Sequence, residues 1–348
     1  MTTSSKPDAA ALLFEQHSRS ETYSVMEKLR AQYARTPRDA VLAERFEKLI
    51  GAAVQRHDVT RPAGFDNRGV GSGLAIIGPT GVGKSRAIRR FLSRHVVLAG
   101  YDDPTSPSPL ISVSAPSPCT SMQLARAILR RSGYPIERDL PAHRLWEMVW
   151  ERLDLIKKFV LHIDELQHVT QHLSEKDMQE VVNLLKHAME ARRISIVISA
   201  VDTVLPFLQF DPQLFRRFDF MEFEKISPDT LGDLRCAVHD FAKSAGVTAD
   251  ESLETHRDFY SRLAHAGLGA FGYSIVLTHL AIERCLKSGD DKLTVEHFTG
   301  AFAQKSAFSL DRNPFKAERW HEIDCSALFV EKQIAPPEPS VKNRRKKR

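Results

Sequence analysis

Hydrophobic positions along this chain fall into three regimes. Up to about Gly69 they recur at helical spacing: Val25 and Leu29 within 21–32, then Leu42, Phe46, Leu49 and Ile50 within 40–54, with Thr36-Pro37 between the two stretches. From Leu74 onward, short apolar or β-branched runs alternate with longer amphipathic stretches. The runs at 74–77, 110–114, 159–163 and 195–199 read as strands buried on both faces, and 220–223 as a further strand-like stretch. Helices are expected after Lys84 through Ile88, Phe91 and Leu92, and from Thr120 through Leu124, Ile128 and Leu129. There Thr120 and Gln123 resemble a capping box. A third helix is expected after Ser174, with Met178, Val181, Val182, Leu185, Ala188 and Met189 on one face. Such alternation argues for an α/β fold, a parallel sheet covered by helices. Beyond Glu224 the pattern holds no clear strand. Ser227, Pro228 and Asp229 supply a cap, a first-turn proline and a first-turn acid. Further helices are expected at 253–266, 274–287 and 295–305, which makes a small all-helical domain. The expected division is an N-terminal helical segment (1–70), the α/β core (71–225), the helical domain (226–305) and a C-terminal extension with a basic tail (306–348).

Composition changes this picture in two places. Four cysteines, Cys119, Cys236, Cys285 and Cys325, lie too far apart in sequence for a metal motif and are too few for a disulfide framework, so they read as free thiols. No apolar run reaches the roughly 18 residues of a membrane span, and the polar N-terminus shows no secretory signal. The expectation is a soluble, cytosolic protein. The formal charge of +5 suggests an acidic partner until it is located. Residues 341–348 carry Lys342, Arg344, Arg345, Lys346, Lys347 and Arg348 without an acid, behind a linker containing Pro336, Pro337 and Pro339. These six charges exceed the total, so the rest of the chain is close to neutral. Such a tail can contact phosphates in a salt-dependent way, or it can simply be solvated. Smaller basic patches, Arg126/Arg130/Arg131, Lys157/Lys158 and Arg192/Arg193, read mainly as solvated helix faces.

The strongest chemical signal is Gly78-Pro79-Thr80-Gly81-Val82-Gly83-Lys84-Ser85, which follows a strand and opens a helix. Backbone N–H groups can surround phosphate oxygens only where side chains do not crowd them, and the helix N-terminus adds a positive field. Lys84 would reach the outer phosphates and Ser85 would ligate Mg²⁺. Together with Arg86, this stretch forms the expected nucleotide-binding set. The second half of such a site is an acid at the end of another strand. Asp164 would hold Mg²⁺, and Glu165 would orient and polarise the attacking water. His162, on the same strand, reads as a satisfied core histidine. Ser199, at the end of the next strand, is the candidate phosphate sensor, with Asp202 and Thr203 as alternatives. Arg216 and Arg217 are candidate arginine fingers, Arg217 favoured, often supplied to a neighbouring subunit.

Phosphate loop, Asp-Glu strand, polar sensor strand, Arg-Phe box and helical lid together resemble an AAA+ ATPase. Within that superfamily the chain resembles the TniB/TnsC family of transposition regulators. The finer match lies in Ser114-Ala-Pro-Ser-Pro-Cys-Thr-Ser121, Ile128-Leu-Arg-Arg-Ser-Gly-Tyr-Pro135, Ile163-Asp-Glu-Leu-Gln-His168 and Asn313-Pro-Phe315. The resemblance implies ATP and Mg²⁺ as cofactors and ATP-dependent rings or filaments on double-stranded DNA. It also implies a link between a target-selection protein and a DDE transposase, with hydrolysis driving disassembly. It places Lys84, Ser85, Asp164 and Glu165 at the nucleotide and metal positions and Arg217 at the finger. It further implies a bacterial cytoplasmic protein, nucleoid-associated when on DNA, with no membrane partner. One departure stands out: the stretch 269–275, where many AAA+ proteins place a γ-phosphate-contacting arginine, contains none. The main alternative is a helicase-loader or replication-initiator type of AAA+ ATPase. A small-molecule kinase and a non-hydrolysing scaffold are weaker rivals.

Overall fold

In the computed structural model, residues 21–58, 60, 69–170, 173–306 and 312–326 are described. The basic tail at 341–348 lies outside them. Five strands form the central sheet: β1 (Gly73–Ile77), β2 (Leu110–Ser114), β3 (Val160–Asp164), β4 (Ser195–Ala200) and β5 (Phe218–Glu222). All neighbours run parallel, in the order β2-β3-β4-β1-β5. The four expected apolar runs thus become β1 to β4. The fifth strand starts two residues before the strand-like stretch at 220–223.

Helices cover both faces. On one side α2 (Arg38–His57) and α3 (Lys84–Arg94) bury Leu42, Phe46, Ile88 and Leu92 against Leu74, Ile76, Val160 and Val197. On the other, α4 (Ser121–Arg131), α5 (Ala142–Leu155) and α6 (Glu175–Glu190) bury Leu124, Leu145, Trp146, Val181 and Leu185 against Ile111, Leu161 and Ile198. The sheet is therefore enclosed twice, which is why its strands read as continuous apolar runs. Short helices α7 (Leu205–Gln209) and α8 (Pro212–Phe215) lead into β5.

The caps follow local chemistry. Ser174 and Asp177 form a reciprocal capping box at α6. At α4, Thr120 accepts from the Gln123 backbone N–H, but no reciprocal bond from the Gln123 side chain is recorded among the described residues, so this box is half formed. Helix α5 was not anticipated, although Leu145, Trp146, Val149, Trp150 and Leu153 mark a helical stripe. The indole N–H of Trp146 donates to the Ser121 carbonyl, fastening α5 to the start of α4.

After β5 the chain is mainly helical: α9 (Leu231–Ser244), α10 (Ser252–Thr255), α11 (Phe259–Ala266), α12 (Phe271–Ser288) and α13 (Val295–Ser306). The expectation of a purely helical region is corrected by β6 (Thr248–Ala249) and β7 (Lys292–Leu293), two residues each, paired in parallel. Their bonds, Thr248 N–H to Asp291 O and Asp250 N–H to Leu293 O, join segments more than forty residues apart, and so short a pairing leaves no periodic trace. The single helix expected at 253–266 is two, α10 and α11, broken at Asp258, whose φ is +61°. The N-terminal helices divide between these cores: α2 packs on the sheet, whereas Met26 and Leu29 of α1 (Glu21–Ala31) join the core of the helical region. Asn313-Pro-Phe315 closes that core. Phe315 is buried among Phe259, Phe298 and Phe302, Asn313 donates to the Thr299 carbonyl, and Arg262 holds the carbonyls of Pro314 and Ala317.

Candidate functional site

Because β1, β3 and β4 are parallel and adjacent, their C-terminal ends share one edge, and the loops leaving that edge meet in a crevice. The loop after β1 turns through Gly81 (φ +82°) and Gly83 (φ +103°) before α3 begins at Lys84. Both values are left-handed, where glycine carries no steric penalty. A Cβ on Gly78 would come within 2.4 Å of the Phe223 carbonyl oxygen, and one on Gly81 would enter the Tyr273 ring. Lys84 lies buried and donates to the carbonyls of Gly78 (2.6 Å) and Pro79 (2.9 Å). Burial pushes its ammonium below the usual range, opposed by the fields of Glu165, Asp164 and Asp202. Ser85 Oγ donates to Asp164 Oδ1 at 3.2 Å. The sequence set 78–85 and Asp164 thus converge. Val82 faces the apolar core beside α3, and Thr80 stays exposed at the loop tip.

Asp164 ends β3, opposite Ser199 on β4. The next residue, Glu165, has φ +59°, a conformation costing a non-glycine residue about 1 kcal/mol or more. Its carboxylate accepts from the Gln167 side-chain amide, whose oxygen in turn accepts from the Val201 backbone N–H at 3.3 Å. Gln167 is buried, so Glu165 is tethered to the end of β4. Ser199 is buried and gives its hydroxyl proton to Asp164, so it is not directed into the crevice as a free sensor. Asp202 and Thr203 lie exposed just beyond β4. His162 is fully enclosed with both ring nitrogens hydrogen-bonded, and burial pushes its pKa down to about 4.

Arg86 follows the loop, but its guanidinium turns to the carbonyls of Arg30 and Gln32, both at 2.6 Å, and so fastens α1 to α3. Beside it, between the phosphate loop and α12, opens a cleft of about 90 Å³ lined by residues that include Tyr33, Thr36, Val82, Phe223, Ile275 and His279. Its walls are mainly apolar and aromatic, with Gln32, Arg38 and Arg86 also lining it, and it adjoins Gly83. The cleft leaves no trace in the sequence, because the residues named come from four distant segments. Helix α12 also touches the loop: Gly272 N–H donates to Gly81 O at 2.8 Å, and the Tyr273 ring lies against Gly81.

Arg216 and Arg217 precede β5 at the opposite edge of the sheet. Five residues of strand, about 16 Å, separate that edge from the phosphate loop, and Arg217 O accepts from the N–H of Gly73, the first residue of β1. Arg217 pairs with Glu190 at 2.5 Å, and its Nη1 is buried without a partner. Arg216 is exposed. Neither reaches the crevice of its own chain. The basic patches are partly structural: Arg126 holds the carbonyls of Ile136 and Arg138, Arg131 the Ser112 carbonyl, Lys158 the carbonyls of Ser106 and Ser108, and Arg192 pairs with Asp154. Among the described residues there is no cluster of three or more His, Cys, Asp or Glu suited to a metal ion, and no single helix is long and apolar enough to cross a membrane.

The segment that builds this crevice, residues 66–228, matches the family model described as Bacterial TniB protein. That segment is similar to the TniB family. No curated protein sequence matches the chain. Among solved structures, this chain is similar to the ORC2 protein of Aeropyrum pernix in ADPNP-ADP complexes, with 18% identity over 80% of this chain and 69% of that one, TM-score 0.56. Similar too are CDC6P from Pyrobaculum aerophilum (15% identity, 80% and 69% covered, TM-score 0.57) and Drosophila ORC bound to DNA (14% identity, 90% and 71% covered, TM-score 0.56). At these identities the likeness is one of fold, and that fold is the AAA+ ATPase fold with a helical C-terminal region.

Proposed function

We propose that this chain is an ATP-hydrolysing, DNA-bound regulator of transposition. It oligomerises on target duplex DNA, links a target-selection protein to a DDE transposase, and disassembles on hydrolysis. The observation that carries the reading is the convergence of Lys84, Ser85, Asp164 and Glu165 in one crevice of a segment similar to the TniB family.

The residues fit a magnesium nucleotide. Gly78, Gly81 and Gly83 leave the loop amides uncrowded, and Lys84 can exchange its loop carbonyls for phosphate oxygens. The aromatic cleft beside Gly83 suits a purine base. Ser85 and Asp164 would hold Mg²⁺, which supplies neutralisation of the phosphate charge. Glu165 accepts a proton from water and orients it once its tether to Gln167 opens. Arg217, with Arg216 beside it, would serve the crevice of a neighbouring copy, since its own is out of reach. Support for DNA as the surface of assembly comes from the family and from ORC proteins solved with DNA. The same likeness favours, as a second reading, a replication-initiator or helicase-loader type of ATPase.

The test is Glu165→Gln. ATP turnover should fall by about 10²-fold or more while nucleotide binding persists, and electron microscopy should show longer-lived assemblies on duplex DNA with ATP. Unchanged turnover removes Glu165 from the mechanism. Assemblies that recruit a helicase and ignore a DDE transposase would transfer the chain to the second reading.

A further inference from the structure

The sheet register lines up polar side chains through an otherwise apolar interior. Ser112 on β2 stands opposite His162 on β3, and Asp164 opposite Ser199 on β4. Ser112 Oγ lies 2.8 Å from His162 Nδ1, His162 Nε2 lies 2.9 Å from Ser199 Oγ, and Ser199 Oγ donates to Asp164 Oδ1. His162 is 2% exposed and Ser199 0%.

Counting hydrogens gives this chain a direction. A serine hydroxyl has one proton, and Ser199 commits it to the carboxylate. The contact with His162 then requires Nε2–H as donor to Ser199. In a neutral imidazole that leaves Nδ1 as an acceptor, which the Ser112 hydroxyl fills. At the far end, Asp164 Oδ1 collects three donors: Ser199, Ser85 at 3.2 Å and the Glu165 backbone N–H at 3.1 Å. Among the described residues no donor is recorded at Oδ2. One carboxylate oxygen is therefore saturated by the protein and the other left open.

We propose that His162 is a positioning residue for metal binding: acting through Ser199, it locks the Asp164 carboxylate so that Oδ2 is the oxygen offered to a divalent cation. Ser199 is thereby withdrawn from direct phosphate sensing. This rests on the reading of the crevice as a magnesium-nucleotide site. A histidine that merely fills space would need neither a fixed tautomer nor the Ser112 hydroxyl behind it.

The experiment is a fluorescent-ATP titration of the full chain, in EDTA and across Mg²⁺ concentrations, with no turnover measured. His162→Leu should leave affinity in EDTA unchanged and raise the half-saturating Mg²⁺ about tenfold, the effect of one buried hydrogen bond. His162→Gln, whose amide can donate to Ser199 and accept from Ser112, should restore most of the difference. Ser112→Ala should shift the Mg²⁺ requirement in the same direction, and it carries the test alone if His162→Leu does not fold. An unaltered Mg²⁺ requirement in the folded variants overturns the proposal. So does an equal loss in EDTA and in Mg²⁺, which marks a packing role. If the unaltered chain binds no nucleotide, or binds it without regard to Mg²⁺, the site reading itself fails and takes the positioning role with it.

Discussion

His279 shows how a single side chain is governed by what surrounds it. It lines the cleft beside the Gly83 loop, on α12, with its Nε2 buried and unpartnered, beside the Phe241 ring. Burial, then the charges of Arg86 on α3 and Arg30 on α1, push its pKa down to about 4. The unfolded chain takes up a proton at 279 below about pH 6.5, which the folded chain refuses until about pH 4. Stability from this group is therefore complete above pH 6.5 and is lost as pH falls through that window, by about 2 kcal/mol at pH 5. His162 acts with the same sign. Denaturant unfolding at pH 7.5 and pH 5 should show the combined loss, and His279→Leu should remove about half of it. An unchanged pH slope in that variant would show that His279 does not titrate as its burial requires. At this scale the sequence was legible where a role is local: Gly81, Gly83, Lys84 and Ser85 act within one turn of chain. Gln167 and His279 were not, because what acts on them, the Val201 N–H and the Arg86 charge, is brought by other elements.

Among the elements, α12 is the one whose position matters most to the crevice. Its first turn meets the phosphate loop directly, with Gly272 N–H on Gly81 O and the Tyr273 ring against Gly81. The start of this helix, 271–275, carries no arginine, and its contact is with the loop itself. A Cβ at Gly272 would lie 2.5 Å from Gly81 O, a backbone atom that cannot yield without moving the loop. Gly272→Ala should therefore weaken nucleotide binding about tenfold, measured by titration, while far-ultraviolet circular dichroism stays unchanged. At the far side of the same region, Phe315→Ala should cost about 3–5 kcal/mol, read as a lower melting temperature, because Phe315 is buried among three other phenylalanine rings. The sheet strands were visible as continuous apolar runs and the long helices as periodic patterns. The β6–β7 pair was not, since two residues carry no period.

For the whole molecule, the decisive fact is that Arg216 and Arg217 sit at one edge of the sheet and the phosphate loop at the other. A single copy cannot bring them together, so any contribution they make is between copies. Arg217→Ala and Lys84→Ala should each abolish assembly-dependent turnover, and mixing the two inactive proteins should restore measurable hydrolysis at interfaces that pair an intact loop with an intact arginine. No recovery on mixing would remove Arg217 from the reaction.

Taken by itself, the sequence determined the alternation of strands and helices, the phosphate loop and the acidic pair. These follow from short-range spacing: short continuous apolar runs for strands buried on both faces, period-3.6 burial for helices, and glycines where the backbone must turn left-handed. Tertiary structure decided what depends on register and on chain crossings: that Ser199 serves Asp164, that His162 stands behind it, that Glu165 is tethered by Gln167, and that the arginines face away. A one-residue change of register would turn the strand residues among them, His162, Asp164 and Ser199, to the opposite face of the sheet. Register is set by packing the whole sheet between its two helical layers, which no local stretch of the chain encodes.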